Sequence, residues 1–137
     1  MSVPDWSAIF RALFGRLTFA GLLRAFLPLL VWAAVVWVIG GLDTVPGDPD
    51  VTKKLDKVGH LGMYGAVGFL CGRGWRLSGA RGGAAALLVV LALAMGAADE
   101  WRQLGIAGRS GSAADWVADA VGVVAGFFLA ASYLRQR

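Results

Sequence analysis

Asp56-Lys57-Val58-Gly59-His60-Leu61-Gly62-Met63-Tyr64 is the stretch on which the reading of this chain turns. It contains the only histidine and sets an acid, a base, an imidazole and a phenol at the start of an apolar run. In a helix, Asp56, His60 and Tyr64 fall four residues apart and form one stripe drifting by about 40° per step, with Lys57 at its edge. A polar stripe entering an apolar helix requires partners, so the remaining polar residues are read for what they can supply.

Composition sets the solvent. The chain has 137 residues, enough for one domain, and is 58 % hydrophobic. Its mean hydropathy of +0.66 is that of a membrane protein rather than an ordinary soluble domain. The net charge is +4. The basic residues sit in short links between apolar runs, which is a topology signal and not a phosphate groove, so nucleic acid is not an expected partner. Cys71 is the single cysteine. It excludes an intramolecular disulfide and a multi-cysteine zinc site, and in its apolar run it reads as a small buried hydrophobe. The 20 glycines follow no collagen-like period and suit close helix packing in lipid.

Outward from the opening stretch, the chain divides into apolar segments. Residues 5–19 carry Trp6, Ile9, Phe10, Leu13, Phe14 and Leu17 at helical spacing. They read as an amphipathic helix in the membrane interface, or else as a plain extension of the first span. Spanning segments follow at 22–42, 56–72, 83–103 and 115–134. A cleaved signal peptide fits the first of these poorly, because no small-residue cleavage site follows it and more apolar segments do. Residues 43–55, with two prolines, a glycine and three aspartates, read as a loop, as does the basic, glycine-rich link 73–82. The expected fold is all-α: four transmembrane helices in a compact bundle forming one membrane domain, with the amphipathic helix before it.

Segment length then places the polar groups. Val58–Gly72 holds 15 residues and Gly83–Ala98 holds 16, whereas a span needs about 20 at about 1.5 Å each. The second and third segments must therefore take Asp56/Lys57 and Asp99/Glu100/Gln103 into their ends, and the fourth includes Asp119. Arg11 and Arg16 precede the first segment and Arg24 lies near its start; Arg73, Arg76 and Arg81 lie between the second and third; Arg135 and Arg137 end the chain. The other two loops mix acids and bases. The positive-inside rule then gives cytoplasmic termini and sets the polar groups on the outer face. Trp101 and Trp116 would mark the outer interface and Trp75 the inner one.

Three polar groups converge on that face: Asp56, Lys57, His60 and Tyr64; Asp99, Glu100 and Gln103; and Arg109, Asp115 and Asp119. Asp115, Asp119, Gly122 and Gly126 share one helix face, which puts the acids on the side of a Gly-x-x-x-Gly packing surface. Structural roles stand beside functional ones. Asp56 can cap its helix. Ser112-Ala-Ala-Asp115 matches a capping box. Asp99 and Glu100 can be a solvated helix end, although Asp99 opposes the helix dipole there and calls for a cation such as Arg109 or Lys57. Asp119 lies a turn inside an apolar helix, where a charge costs about 2–3 kcal/mol on insertion scales. His60 can be a satisfied bundle histidine, an anion-binding or proton-transfer group, or a metal ligand. With no second histidine and no His-Glu-x-x-His, a metal would have only carboxylates beside it, so no metal or other cofactor is expected.

Asp56-Lys57-x-x-His60-x-x-x-Tyr64, Glu100-x-x-Gln103, Arg109 and Asp115 with the Gly122/Gly126 helix together resemble the VanZ-like family of small bacterial membrane proteins, over roughly residues 25–130. The resemblance implies an integral protein of the bacterial cytoplasmic membrane and cell envelope, in a family whose namesake is associated with teicoplanin resistance. It makes Asp56, Lys57, His60, Tyr64, Glu100, Gln103, Arg109 and Asp115 the characteristic positions. Asp119 departs from it, since the family commonly has asparagine there. The expected function is an outward polar pocket in which Arg109, Lys57 and His60 bind an anionic lipid-linked or peptidoglycan-related headgroup, with membrane lipids, a cell-wall precursor or a glycopeptide as partners. Whether the chain is an enzyme stays open: the alternatives are a membrane hydrolase of a lipid-linked substrate, using His60 as general base with a carboxylate or a metal held by His60, Glu100 and Asp115 or Asp119, and a purely structural protein.

Overall fold

The computed structural model describes residues 5, 18–41, 49–106 and 111–134, and in them the chain forms four α-helices and no strand. These are α1 (Phe19–Gly40), α2 (Pro49–Ser78), α3 (Gly82–Gln103) and α4 (Ala113–Tyr133). Three of them, α1, α3 and α4, are long and apolar enough to cross a membrane. At 21 or 22 residues each they measure about 32 Å, against a hydrocarbon core of about 30 Å. Leu27, Leu30, Val90, Leu91, Phe128 and Leu129 on these helices are exposed. Such a surface suits lipid and would be an aggregation hazard in water. By helix length and hydropathy the chain is a small multi-span helical membrane protein.

The expected boundaries hold to within three residues for α1, α3 and α4 but not for α2. The expected amphipathic helix at 5–19 falls mostly on residues outside those described, and its last residue, Phe19, belongs to α1. Thr18 caps α1, its hydroxyl accepting the Gly21 N–H at 3.2 Å. The expected loop at 43–55 is shorter than read, because α2 begins at Pro49. Proline is well suited to a first helical position: its missing N–H has no helical partner to lose there and its φ is already helical. The expected link at 73–82 shrinks to residues 79–81. Arg73, Gly74, Trp75 and Arg76 stay helical, and α2 stops at Gly79, whose φ of +61° is one that L side chains rarely adopt.

The extra length of α2 has a use at its carboxyl end. Pro28 lies inside α1 and cannot donate to the carbonyl of Arg24. Arg73 fills that vacancy, Nη1 donating to Arg24 O at 3.0 Å and to Ala25 O at 3.2 Å. Arg76 donates through Nε to Ala131 O of α4 at 3.0 Å. Away from water, an unsatisfied backbone carbonyl is expensive, so these arginines make a proline and a helix end tolerable.

α2 packs against all three other helices, and most extensively against α4. Small residues make that closeness feasible. A Cβ at Gly72 would stand 2.6 Å from Phe127 O, and one at Gly122 would stand 2.5 Å from Leu61 O. Gly68 and Gly126 are tighter still, facing the backbone of Val123 and of Gly65 respectively. The Gly122/Gly126 face is thus the packing surface expected from the sequence, and it meets a matching glycine row on α2. Tyr64, Val67, Cys71, Val123 and Phe127 form the core along this seam, joined by Val36 and Ala92. Cys71 is a free buried thiol within that core.

Candidate functional site

One end of the bundle gathers the polar groups. It is formed by the carboxyl ends of α1 and α3, the amino end of α4, and the part of α2 around Asp56–Tyr64. Because α2 and α4 touch through glycines, residues one or two turns beyond the seam are held close: Lys57 and His60 on one helix, Asp115 and Asp119 on the other.

His60 is the hub. It is 3 % exposed, and its Nδ1 lies 2.9 Å from Asp119 Oδ1 and 3.5 Å from Glu100 Oε1. Its Nε2 lies 4.0 Å from Asp56 Oδ1, one helical turn away on α2. Asp119 is 1 % exposed, and its second oxygen, Oδ2, has no hydrogen-bond partner. Gly96 of α3 makes room for it, since a Cβ there would come within 3.2 Å of Oδ2. The same glycine accommodates Tyr64, which is wholly buried, stacks on His60 with ring centroids 6.4 Å apart, and leaves its hydroxyl without a hydrogen-bond partner.

Glu100 is oriented by α4. Its Oε2 accepts the Ser112 backbone N–H at 2.7 Å, while Oε1 faces His60 without a hydrogen bond of its own. This alters the expected capping box. Ser112 does cap α4, its hydroxyl accepting from Ala114 and Asp115 N–H groups, but the acceptor for Ser112 N–H is Glu100 from another helix. Asp115 is thereby released to pair with Lys57. Lys57 is half-exposed and Asp115 is buried, so the pair forms the rim of the cluster.

Among the described residues, the cation on Asp99 is Arg102 and not the expected Lys57; Arg109, the other expected partner, lies outside them. Arg102, three residues on, bonds Asp99 Oδ1 at 2.6 Å. The same guanidinium donates to Trp37 O at 2.7 Å and stacks 4.1 Å over the Trp37 ring. Gly40 leaves space for the carboxylate, as a Cβ there would fall 2.6 Å from Asp99 Oδ2. Sequence reading missed Arg102. The i,i+3 spacing to Asp99 was the available signal, and a solvated helix end masked it. Gln103 is buried one turn further on, with its Nε2 unbonded.

Nine of the ten residues singled out from the sequence therefore lie at this end: Asp56, Lys57, His60, Tyr64, Asp99, Glu100, Gln103, Asp115 and Asp119. Arg109 lies outside the described residues. A shallow groove beside Arg102 is lined by Trp37, Ala98, Trp101, Leu104 and Gly105, and none of His60, Glu100 or Asp119 borders it. Around His60, three ligand atoms, one each from His60, Glu100 and Asp119, lie within 4.8 Å of one another.

Chemically, the network holds an imidazole in a fixed orientation between carboxylates. The Asp119 contact engages Nδ1, and Nε2 faces Asp56 at 4.0 Å. Trp101 and Trp116 are exposed beside it, where amphipathic rings suit a membrane–water boundary. No family model, no curated protein and no solved structure matches this chain.

Proposed function

We propose that this chain is a VanZ-like protein of the bacterial cytoplasmic membrane that crosses it with all four helices and handles an anionic, lipid-linked or peptidoglycan-related headgroup at its outer face. The observation that carries the reading is the buried His60–Asp119–Glu100 cluster at a single end of the bundle, with Lys57 half-exposed at its rim. Intramembrane ionisable groups are costly, and groups retained at that cost mark sites more often than surfaces. The orientation follows from charge. Arg73, Arg76 and Arg81 gather at the opposite end, so that end is cytoplasmic and both termini lie there. α2 is the fourth span: its apolar middle is enclosed by α1, α3 and α4, and its charged ends reach the two surfaces.

On this reading Lys57 and Arg109 attract the headgroup phosphate or carboxylate, and the buried cluster fixes its position. The contribution to a cell is tolerance of a teicoplanin-type glycopeptide. The experiment is expression in a susceptible bacterium, with membrane abundance measured alongside tolerance. His60→Ala, Glu100→Gln and Arg109→Ala should each abolish the tolerance at unchanged abundance. Full tolerance in all three would sink the proposal.

A second reading, a membrane hydrolase of a lipid-linked substrate, is favoured by one contact. A carboxylate on Nδ1 fixes the imidazole tautomer and leaves the Nε2 lone pair for a general base, and Asp119 stands at Nδ1. Release of product from a lipid-linked pyrophosphate in nanodiscs, lost in His60→Gln, would select it over simple binding. Binding without turnover would select the first reading.

A further inference from the structure

The charges at the polar end do not balance among the described residues. Asp99 is matched by Arg102, and Asp115 by Lys57. Apart from Asp56, which is partly exposed, Glu100 and Asp119 remain, both more than nine-tenths buried, and the described cation beside them is at most the single imidazole of His60. Each of these two carboxylates also keeps one buried oxygen with no hydrogen-bond donor, Oε1 of Glu100 and Oδ2 of Asp119. A buried carboxylate oxygen without a donor carries a desolvation cost that nothing offsets.

The spacing of the donor atoms indicates what would offset it. His60 Nδ1 lies 2.9 Å from Asp119 Oδ1 and 3.5 Å from Glu100 Oε1. Ligands about 2.1 Å from a first-row metal ion are separated by about 3.0 Å on an octahedral edge and about 3.4 Å on a tetrahedral one. The two His60 distances span those edges, and the three ligand atoms together lie within 4.8 Å of one another, so the carboxylates close in on an ion by a small side-chain adjustment. The orientation of the ligands is also already fixed. Ser112 N–H grips Glu100 Oε2 and turns Oε1 inward, and Asp56 stands on the Nε2 side of His60. Backing of this kind, a hydrogen bond on the outer carboxylate oxygen and a carboxylate behind the imidazole, is what holds metal ligands in place.

We propose that His60, Glu100 and Asp119 form a divalent-cation site, taking a first-row ion of the manganese or zinc class. One imidazole nitrogen and two carboxylate oxygens suit that borderline-to-hard chemistry, and three protein ligands leave positions open. The ion neutralises the two carboxylates, and its open coordination positions give an anionic headgroup something to bind. That last consequence rests on the headgroup reading, whereas the cation site stands without it.

His60 is the only histidine, so the test needs no assignment by mutation. The untagged full-length chain in detergent micelles is stripped with chelator, and its single imidazole is followed by NMR. Stoichiometric Zn²⁺ should shift the ring signals and Mn²⁺ should broaden them, with dissociation constants raised at least tenfold in Glu100→Gln and Asp119→Asn. An imidazole unmoved at saturating Zn²⁺ and Mn²⁺ overturns the site, as does equal affinity in the wild type and both variants. Should either variant fail to fold, the wild-type imidazole titration decides alone. Addition of a lipid phosphate to the loaded and stripped chain separates the two proposals. Metal binding with no lipid phosphate binding leaves the site standing and overturns the headgroup reading; lipid phosphate binding with no metal response does the reverse.

Discussion

At one end of α2, Arg73 and Arg76 donate to backbone carbonyls of α1 and α4. At the other, Lys57 and His60 of the same helix meet carboxylates. The arginines complete hydrogen bonds that a proline and a helix end leave open, and that end has nothing further to explain. The acidic end has more carboxylate than it needs for its own pairing and retains unbonded buried oxygens. One helix therefore carries two kinds of charge, donors to backbone carbonyls at one end and partners of buried carboxylates at the other. The glycine seam between α2 and α4 holds both ends in register.

The largest expected effect tests that seam. Gly126→Leu drives a side chain into the Gly65 backbone and should cost about 3 kcal/mol or more by overpacking. Unfolding in a denaturing-detergent titration would measure it, and both ends should fail together. Loss of the acidic end alone would show that the ends are independently held.

A second comparison splits the acidic end. Asp119→Ala strands the buried imidazole and should cost about 3 kcal/mol, in the range for breaking a buried pair. Asp119→Asn keeps a polar group of the same shape and should cost less than about 1 kcal/mol. If both are destabilised alike, the carboxylate serves as a structural lock and the functional account of this end weakens.

The basic end gives a smaller, coupled effect. Arg73→Met leaves the Arg24 and Ala25 carbonyls short of a donor, and should cost about 1–2 kcal/mol. Pro28→Ala restores the helical N–H to Arg24 O, so the same substitution in that background should lose at least half its effect. A double-mutant cycle measures the coupling. Additive costs would mean that Arg73 does not act through the proline.

The smallest effect belongs to a residue outside both networks. Trp101 is 77 % exposed, and Trp101→Ala should change stability by less than about 0.5 kcal/mol. A larger loss would mean that the indole is buried against something other than this chain.

What could be read in advance followed the range of the physics. Apolar runs locate α1, α3 and α4 because lipid imposes length and hydropathy on every turn. The buried Asp115, Asp119, Gly122 and Gly126 face is legible because i,i+4 spacing is a property of the helix itself. The start of α2 was obscured because Pro49 sits among aspartates and glycine that resemble a loop, although the first helical turn tolerates proline. The pairing of Lys57 with Asp115 and of Glu100 with Ser112 joins distant parts of the chain, and no local pattern encodes it. Ser112-Ala-Ala-Asp115 matches a capping box in sequence, but packing gave one half of it to Glu100. Arg102 is within reach of Asp99 by i,i+3 spacing alone, but the reading of Asp99 and Glu100 as a solvated helix end leaves it without a role. His60 with Glu100 and either Asp115 or Asp119 is a weak metal signature in sequence, and only the packing of the helices brings Glu100 and Asp119 to His60 within 4.8 Å of one another.

The central claim is that the acidic end is built to hold a ligand and the basic end is not. The most direct measurement is the content of bound divalent metal per chain, taken on wild type, Arg73→Met and Glu100→Gln purified in the same detergent after equilibration with Mn²⁺ or Zn²⁺ at a concentration that just saturates the wild type. One equivalent is expected in the wild type and in Arg73→Met, and well under half an equivalent in Glu100→Gln. Equal content in all three proteins would contradict it.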